Sequence, residues 1–305
     1  MDPVLVIAVV LFGLIFGSFL NVCIYRLPRG LSVTAPRSAC PECKQLIAFY
    51  DNIPVLSWLI LGGRCRHCKT PISARYVVIE VLNAALWLAC YWHFGATLAT
   101  LKYCTFSFLL LGLIFTDAET KLLPNKLTLT GLGLGVMFSS IVPVNDLAAQ
   151  FLPNVLNLPL SGEMMTRLLS LLDALAGAAV GAAFIYGAGA IYLKWRGAEG
   201  MGLGDVKLMA MVGAFLGMKL TVLTIFTASV AGSVFGVATM LMVWLKRTQR
   251  FMKRLAGVEA RRRGWRSAQV VYRNYQMPFG VFLGGMAMFA LFFGNRILRW
   301  YGGLW

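Results

Sequence analysis

Eight apolar stretches, most of them long enough to cross a membrane, dominate this chain of 305 residues. A transmembrane helix needs about 20 mostly apolar residues. The stretches cover residues 4–24, 76–94, 98–116, 127–144, 171–193, 206–218, 219–245 and 277–300. Only 13% of the residues are charged, about half of the fraction in soluble domains. The sequence predicts an all-α polytopic membrane protein with about eight transmembrane helices. Seven is the alternative count, because only Met218 and Lys219 separate the sixth stretch from the seventh.

The positions of Lys and Arg predict the orientation of the helices. Of the 28 basic residues, 23 fall in residues 25–75, 117–126, 194–207 and 246–275. Loops on the cytoplasmic side carry an excess of Lys and Arg, so we expect these segments inside and both termini outside. The chain then divides into a first transmembrane helix at 1–24, a cytoplasmic insert at 25–75 and a transmembrane bundle at 76–305.

Two further segments differ from the apolar stretches. Residues 246–273 are strongly basic, which favours a juxtamembrane segment lying on anionic lipid. Nucleic-acid binding is the alternative for this segment. We expect its partner to be membrane lipid and not nucleic acid. Residues 145–170 are broken by Pro153 and Pro159 and predict an interfacial or external segment, part of which would extend the fifth helix.

The insert carries two Cys-x-x-Cys pairs, in the pattern C-x2-C-x21-C-x2-C. Their members are Cys40, Cys43, Cys65 and Cys68. Two such turns present four thiolates to one Zn²⁺ in a tetrahedral shell. Four protein ligands close that shell, so we expect a structural zinc ion rather than a catalytic one. The alternative is two incidental pairs of free cysteines, or disulfides in the inverted topology.

Two aspartates lie at the cytoplasmic ends of predicted spans. Asp117 ends the third span, and Asp205 begins the sixth after the sequence Met-Gly-Leu-Gly. Two carboxyl groups about 3 Å apart share one proton near neutral pH, because both cannot ionise. One then acts as general base on a water molecule while its protonated partner polarises a scissile carbonyl. The pattern therefore indicates an aspartyl protease with Asp117 and Asp205 as its catalytic pair.

The residues around Asp205 carry a second interpretation. Gly202 and Gly204 would allow a substrate backbone to approach closely and would permit unusual backbone angles. Alternatively, the Gly-x-Gly is a loop hinge, Asp205 a helix N-cap and Lys207 a surface residue. A single Gly-x-Gly-Asp does not distinguish the two, and the second aspartate at matching depth favours the catalytic interpretation.

Other carboxylates near the membrane are also candidates. Glu80 lies inside the second predicted span, where an ionisable group is a functional hypothesis by default. The alternative for Glu80 is an ion pair with Arg75 near the interface. Glu119 and Asp173 are expected to be interfacial caps or solvated charges.

Taken in order, these motifs resemble the type IV prepilin peptidases over nearly the whole chain. The resemblance rests on Gly17-Ser18-Phe19-Leu20-Asn21-Val22, Tyr25-Arg26-Leu27-Pro28, the two Cys-x-x-Cys pairs, Asp51-Asn52-Ile53-Pro54, Arg75-Tyr76 with Glu80, Asp117 with Leu123-Pro124-Asn125, Gly202-Leu203-Gly204-Asp205-Val206-Lys207 and Pro278-Phe279-Gly280. The Gly-x-Gly-Asp motif also occurs in presenilin-type and preflagellin proteases.

The resemblance implies two activities in a bacterial inner membrane. The first is removal of the basic leader from type IV prepilins or type II secretion pseudopilins at the cytoplasmic face. The second is N-methylation of the new N-terminus with S-adenosylmethionine, for which the insert at 25–75 would be the methyltransferase part. Gly17, Ser18, Asn21 and Glu80 are the expected methyl-donor region. Pro278, Phe279 and Gly280 would position the substrate, or Pro278 would simply occupy the first turn of a helix.

Two hypotheses from other classes remain at this point. A transporter would use Asp117 and Asp205 as a proton or cation relay, although no inverted repeat is visible. A structural assembly factor of a secretion system would use the zinc insert as a docking loop. The sequence leaves the physiological pilin or pseudopilin, the oligomeric state and the contacts of the methyl donor open.

Overall fold

The computed structural model describes residues 2–143, 163–197, 201–253, 256–273 and 277–302. Within these ranges the chain is helical, and its only extended pairings are two isolated bridges in the insert. The helices are α1 Pro3–Arg26, α2 Leu56–Ile60, α3 Arg75–Phe94, α4 Leu98–Thr120, α5 Asn125–Ile141, α6 Glu163–Arg196, α7 Leu203–Met252, α8 Gly257–Arg273, α9 Phe279–Phe289 and α10 Asn295–Gly302. A π-helical turn, Ala290–Gly294, joins α9 to α10. The predicted all-α class is confirmed.

The predicted count of eight spans is not confirmed. Among the described residues, six helical segments are long and apolar enough to cross a membrane: α1 with the turn after it, α3, α4, α6, α7 and α9 through α10. The fourth predicted span corresponds to α5, which has only 17 residues. The sixth and seventh both fall within α7, which has 50 residues. Helix α6 begins at Glu163, so residues 163–170 extend the fifth predicted span, while residues 144–162 lie outside the described residues.

Helix α7 bends sharply at Gly217, whose φ of 76° lies in the left-handed region that glycine adopts readily. A Cβ added at Gly181 would lie 2.6 Å from the Met209 carbonyl oxygen and 3.0 Å from Thr221 Cγ2. In a straight helix, residues 209 and 221 would be about 18 Å apart. Because both lie against the same point of α6, the two arms of α7 fold back toward each other.

Helices α1 and α3 cross at very short distance. A Cβ at Gly13 would lie 2.6 Å from Ala84 Cα, and one at Gly17 would lie 2.7 Å from Glu80 Cα. Glycines four residues apart allow such backbone contact between membrane helices. Asn83 Nδ2 also donates to the Gly13 carbonyl at 2.7 Å across the same crossing. This crossing fixes the position of α1 relative to α3, and the insert begins at the C-terminal end of α1.

A buried polar network joins α4, α5 and α6 at the end of α4 opposite Asp117. Lys102, which is fully buried, donates to Ser139 Oγ at 3.0 Å. Ser170 Oγ donates to the Ser139 carbonyl at 2.7 Å. Asp173 is only 2% exposed and interacts electrostatically with Lys102. The expectation that Asp173 is an interfacial cap or a solvated charge is therefore wrong.

The basic segment at 246–273 forms a helical pair. Helix α8 packs against the end of α7, where the indole rings of Trp244 and Trp265 meet edge to face with centroids 5.8 Å apart. Ala260 and Ala268 are buried in this contact. The opposite side of α8 is basic, and the predicted lipid contact of this segment stays a prediction.

Candidate active site

Asp117 lies at the end of α4 and is 5% exposed. Its Oδ2 accepts a hydrogen bond of 3.0 Å from the Val281 backbone N–H. Val281 is the third residue of α9, where backbone N–H groups have no partner within their own helix. The Asp117 carboxylate therefore caps α9 from another helix, and the positive end of the helix dipole faces it.

Asp205 is the third residue of α7 and is half-buried. The charges of Asp205 and Asp117 interact through space. Gly202 occupies the N-cap position of α7, so the alternative in which Asp205 is the N-cap residue is wrong. The structure therefore places these two carboxylates, predicted from distant parts of the sequence, near enough for their charges to interact.

The loop between α4 and α5 joins the motifs around the two aspartates. Leu123 Cβ lies 3.0 Å from the position of a Cβ at Gly204, and Leu123 Cδ1 lies 3.3 Å from that of a Cβ at Gly280. Lys207 Nζ donates to Asn125 Oδ1 at 2.8 Å. In the sequence, the Leu123-Pro124-Asn125 run stood out only as part of the resemblance. Its position shortly after Asp117 was the signal that it belongs to the site.

The flanking glycines and the Pro-Phe-Gly run have specific places in this arrangement. Gly202 has φ −82° and ψ 151°, which any residue adopts, so the expectation of unusual backbone angles is wrong for Gly202. A Cβ at Gly280 would lie 2.9 Å from Asp117 Oδ2. Pro278 is the N-cap of α9 rather than a residue of its first turn, and Phe279 packs against Gly232. Of the three residues predicted to position the substrate, Gly280 is the one that meets the Asp117 carboxylate directly.

The four cysteines of the insert converge. Their Sγ atoms all lie within 4.8 Å of one another, and those of Cys40 and Cys68 are 3.7 Å apart. Tetrahedral Zn²⁺ with bonds of about 2.3 Å needs neighbouring sulfurs about 3.8 Å apart, so the donor set fits this metal. All four cysteines are free thiols, which excludes the disulfide alternative for these residues.

The two Cys-x-x-Cys turns have the same backbone pattern. In each turn, the backbone N–H of the first cysteine donates to the carbonyl of the residue five positions later, at a distance of 2.9 Å in both turns. The carbonyl of the same cysteine accepts from the backbone N–H of the residue four positions later. That donor, Lys44 in one turn and Lys69 in the other, has φ 59°. Hydrogen bonding by the hydroxyl and the backbone N–H of Thr70 lowers the pKa of Cys68 to about 6. Cys68 thus favours the thiolate form that binds metal.

The predicted methyl-donor residues also meet at one place. Gly17 packs on the Glu80 backbone, and Ser18 interacts with the Glu80 carboxylate. Glu80 Oε2 accepts from the Val55 N–H at 2.8 Å, which fastens the insert to α3. Asn21 Nδ2 donates to the Tyr76 carbonyl at 3.1 Å.

Arg75 forms its ion pair with Glu119 instead of Glu80. The Arg75–Glu80 alternative is therefore wrong, whereas Glu119 is an exposed charge in the last turn of α4, as expected, and is paired with Arg75. Glu119 is two residues from Asp117, and Arg75 begins α3 directly after the insert. The zinc insert and the two aspartates therefore lie at the same end of the helix bundle.

The chain is similar to known proteins over nearly its whole length. Residues 11–94 match the Bacterial Peptidase A24 N-terminal domain, and residues 104–237 match the Type IV leader peptidase family. A prepilin leader peptidase/N-methyltransferase of Aeromonas hydrophila is 31% identical over 96% of this chain and 92% of its own length. Proteins of the same name are 32% identical in Pseudomonas aeruginosa, over 97% of this chain and 93% of the relative, and 36% identical in Myxococcus xanthus, over 78% and 64%. No solved structure matches the chain. The chain belongs to the family of prepilin leader peptidase/N-methyltransferases.

Proposed function

We propose that this protein is an intramembrane aspartyl endopeptidase that removes the leader peptide from type IV prepilins or type II secretion pseudopilins and then methylates the new N-terminus. The observation that supports the proposal is that Asp117 and Asp205 lie at one end of the bundle, near enough for their charges to interact. The family match does not favour a transporter or a structural assembly factor.

The proposed cleavage uses the aspartates as a coupled pair. One carboxylate removes a proton from water, whose oxygen bonds to the scissile carbonyl carbon, while the protonated partner hydrogen-bonds to the carbonyl oxygen. The tetrahedral intermediate then breaks its C–N bond, and the leaving amine takes up a proton from the pair. The roles of base and acid belong to the pair, so neither is assigned to Asp117 or Asp205 alone. The Val281 N–H holds the Asp117 carboxylate in place throughout.

The loop between α4 and α5 holds the two halves of this pair together. Leu123 packs against both glycines, Gly204 beside Asp205 and Gly280 beside Asp117. The Lys207–Asn125 hydrogen bond ties the first turns of α7 to the start of α5. The predicted active-site loop is instead the start of a helix, since Gly202 is the N-cap of α7 and Gly204 and Lys207 lie in its first turns. We assign these three residues to the active site, and Pro278, Phe279 and Gly280 to substrate positioning.

We place methyl transfer at the junction of the insert with α1 and α3. S-adenosylmethionine, when bound, supplies an electrophilic methyl group to an amine. In the described part of the chain, Asn21 Oδ1 is buried without a hydrogen-bond partner. Together with the Glu80 carboxylate it offers the acceptors that an ammonium group requires. These two residues would orient the amino group of the donor or of the processed substrate, with Gly17 and Ser18 closing the site.

Zinc in the four-cysteine site has a structural role in this proposal. It would hold the two turns of the insert together, since four thiolates leave no open coordination position for a substrate. We further propose that the protein lies in the bacterial inner membrane with both termini outside. The insert and the aspartates would then face the cytoplasm. The scissile bond of a prepilin, which joins its basic leader to its apolar helix, would lie at the same face.

The test compares Asp117→Asn, Asp205→Asn and the control Asp2→Asn in purified enzyme. Asp2 is the N-cap of α1, and asparagine serves equally well there. Cleavage of a prepilin substrate should be lost in the first two variants and kept in the control. Methylation of a substrate supplied already cleaved should persist in all three. Cleavage by both active-site variants at the control rate would refute the proposed function.

A further inference from the structure

The insert exposes an apolar patch that neither the zinc site nor the aspartates use. The patch consists of Phe49, Ile53, Leu56, Leu59 and Ile60, whose side chains are 80%, 46%, 50%, 61% and 71% exposed. It lies in and directly before the short helix α2. Soluble surfaces rarely expose contiguous apolar groups on this scale, and such groups mark a contact with a membrane or a partner.

Helix α2 has two distinct faces. Leu56, Leu59 and Ile60 follow the i, i+3, i+4 spacing that places side chains on one face of a helix. Ser57 is buried, and Trp58 Nε1 donates to the Ile72 carbonyl at 3.0 Å inside the insert. The helix is therefore anchored by its inner face and presents only apolar side chains on its outer face.

The position of α2 relative to the membrane helices is fixed by one hydrogen bond. The N–H of Val55, the residue before α2, donates to Glu80 Oε2 at 2.8 Å. Glu80 is five residues inside α3, which corresponds to about 7.5 Å along that helix from its first residue. Interfacial helices bury their apolar face about 5–10 Å into the headgroup region. Because helical side chains lean toward the helix N-terminus, the start of α2 lies between the depth of Glu80 and that of the first residue of α3, at the level of the membrane interface.

The position of α2 favours membrane lipid as the partner that covers the apolar patch. Helix α3, to which the start of α2 is hydrogen-bonded, carries exposed apolar side chains, including Val78 and Val81, each 47% exposed, as expected of a helix in contact with lipid. No charged residue occurs from residue 53 to residue 63. A run of about 10–14 apolar residues is too short to span a bilayer and is typical of interfacial segments.

We propose that the apolar patch is a membrane-docking element, with Leu56, Leu59 and Ile60 immersed in the lipid interface. It lies at the end of the bundle that holds Asp117 and Asp205, as the Arg75–Glu119 ion pair indicates. The patch holds the zinc insert flat against the bilayer. The proposal goes beyond the enzymatic function and does not depend on it.

The test measures the depth of a nitroxide introduced at Ile60 through an unnatural amino acid, so that the native cysteines stay unlabelled. The full-length protein is placed in nanodiscs of mixed phosphatidylethanolamine and phosphatidylglycerol. Collision rates with oxygen, which enters lipid, and with a water-soluble nickel chelate are then compared. Val81 is the lipid-facing reference, and Glu42, an exposed residue of the insert, is the aqueous reference. A second label at Leu59 repeats the measurement if the Ile60 variant does not fold.

The expected result is an oxygen-to-nickel preference at Ile60 like that of Val81 and opposite to that of Glu42. Equal access of nickel to Ile60 and Glu42 would overturn the proposal. Protection from both reagents, with a short dipolar distance between labels on two molecules, would also overturn it, because a second copy would then cover the patch. Loss of peptidase activity would leave this measurement unaffected, so the two proposals fail independently.

Discussion

Replacing Gly280 by alanine perturbs Asp117 by a single methyl group. The added Cβ would lie 2.9 Å from Asp117 Oδ2 and 3.1 Å from Asp117 Cγ, whereas ordinary contacts are 3.4–4 Å. The carboxylate or the start of α9 must therefore move by roughly half an ångström, the difference between these distances. The Val281 hydrogen bond to Oδ2, now 3.0 Å, would then exceed the normal range.

The size of the effect follows from that hydrogen bond. A hydrogen bond to a charged group contributes about 1.5–3 kcal/mol. If the whole of it is lost from the transition state, kcat falls by roughly 10- to 150-fold, since about 1.4 kcal/mol corresponds to a factor of ten. Because the carboxyl group itself remains, Gly280→Ala should retain measurable activity, unlike Asp117→Asn.

The assay follows cleavage of a prepilin substrate by purified enzyme under saturating conditions. Gly285→Ala is the matched control, since Gly285 lies in the same helix and a Cβ there would meet nothing within 4 Å. Methylation of a substrate supplied already cleaved reports whether the Gly280 variant is folded. If Gly280→Ala cleaves as fast as Gly285→Ala, the structural account of the Asp117 environment is wrong.

Three further changes test other parts of the structure. Cys65→Ser should reduce the zinc content of the purified protein, measured by atomic emission, because one of four thiolates is removed; unchanged zinc would exclude this cluster as the metal site. Lys102→Met should lower the free energy of unfolding by about 3–5 kcal/mol because it removes a buried charge that interacts with the buried Asp173, and Lys102→Met/Asp173→Leu should recover part of that loss; equal losses would contradict the pairing. Gly213→Ala, whose Cβ would lie 2.2 Å from the backbone of α6, should lower the melting temperature, whereas Gly187→Ala, with nothing within 4 Å, should not.

Much of the site was predictable because its residues lie at the ends of apolar stretches. The end of a stretch indicates the depth of a residue in the membrane, and the depths of Asp117 and Asp205 matched. The pairing of Cys40 and Cys43 with Cys65 and Cys68 was predictable from spacing alone. In these cases a local pattern carries the information, and the structure supplies the contacts.

The features that sequence analysis missed depend on how each helix is rotated and bent. Hydropathy indicates how deep Asp173 lies but not which neighbour it faces, so its burial beside Lys102 was not foreseen. The choice of Glu119 over Glu80 as the partner of Arg75 likewise depends on how α3 and α4 pack. The sharp bend at Gly217 was visible only as a soft boundary between two apolar stretches.

The arrangement at Asp117 shows how the segments around Asp117, Gly202–Lys207 and Pro278–Gly280 depend on one another. Asp117 needs the first turn of α9 for its hydrogen bond, and that turn approaches only because Gly280 has no side chain. Leu123 fills the space between Gly280 and Gly204. Because Gly204 directly precedes Asp205, this contact positions Asp205. Each motif therefore supplies a contact that another requires, and altering one should displace a carboxyl group in a second helix.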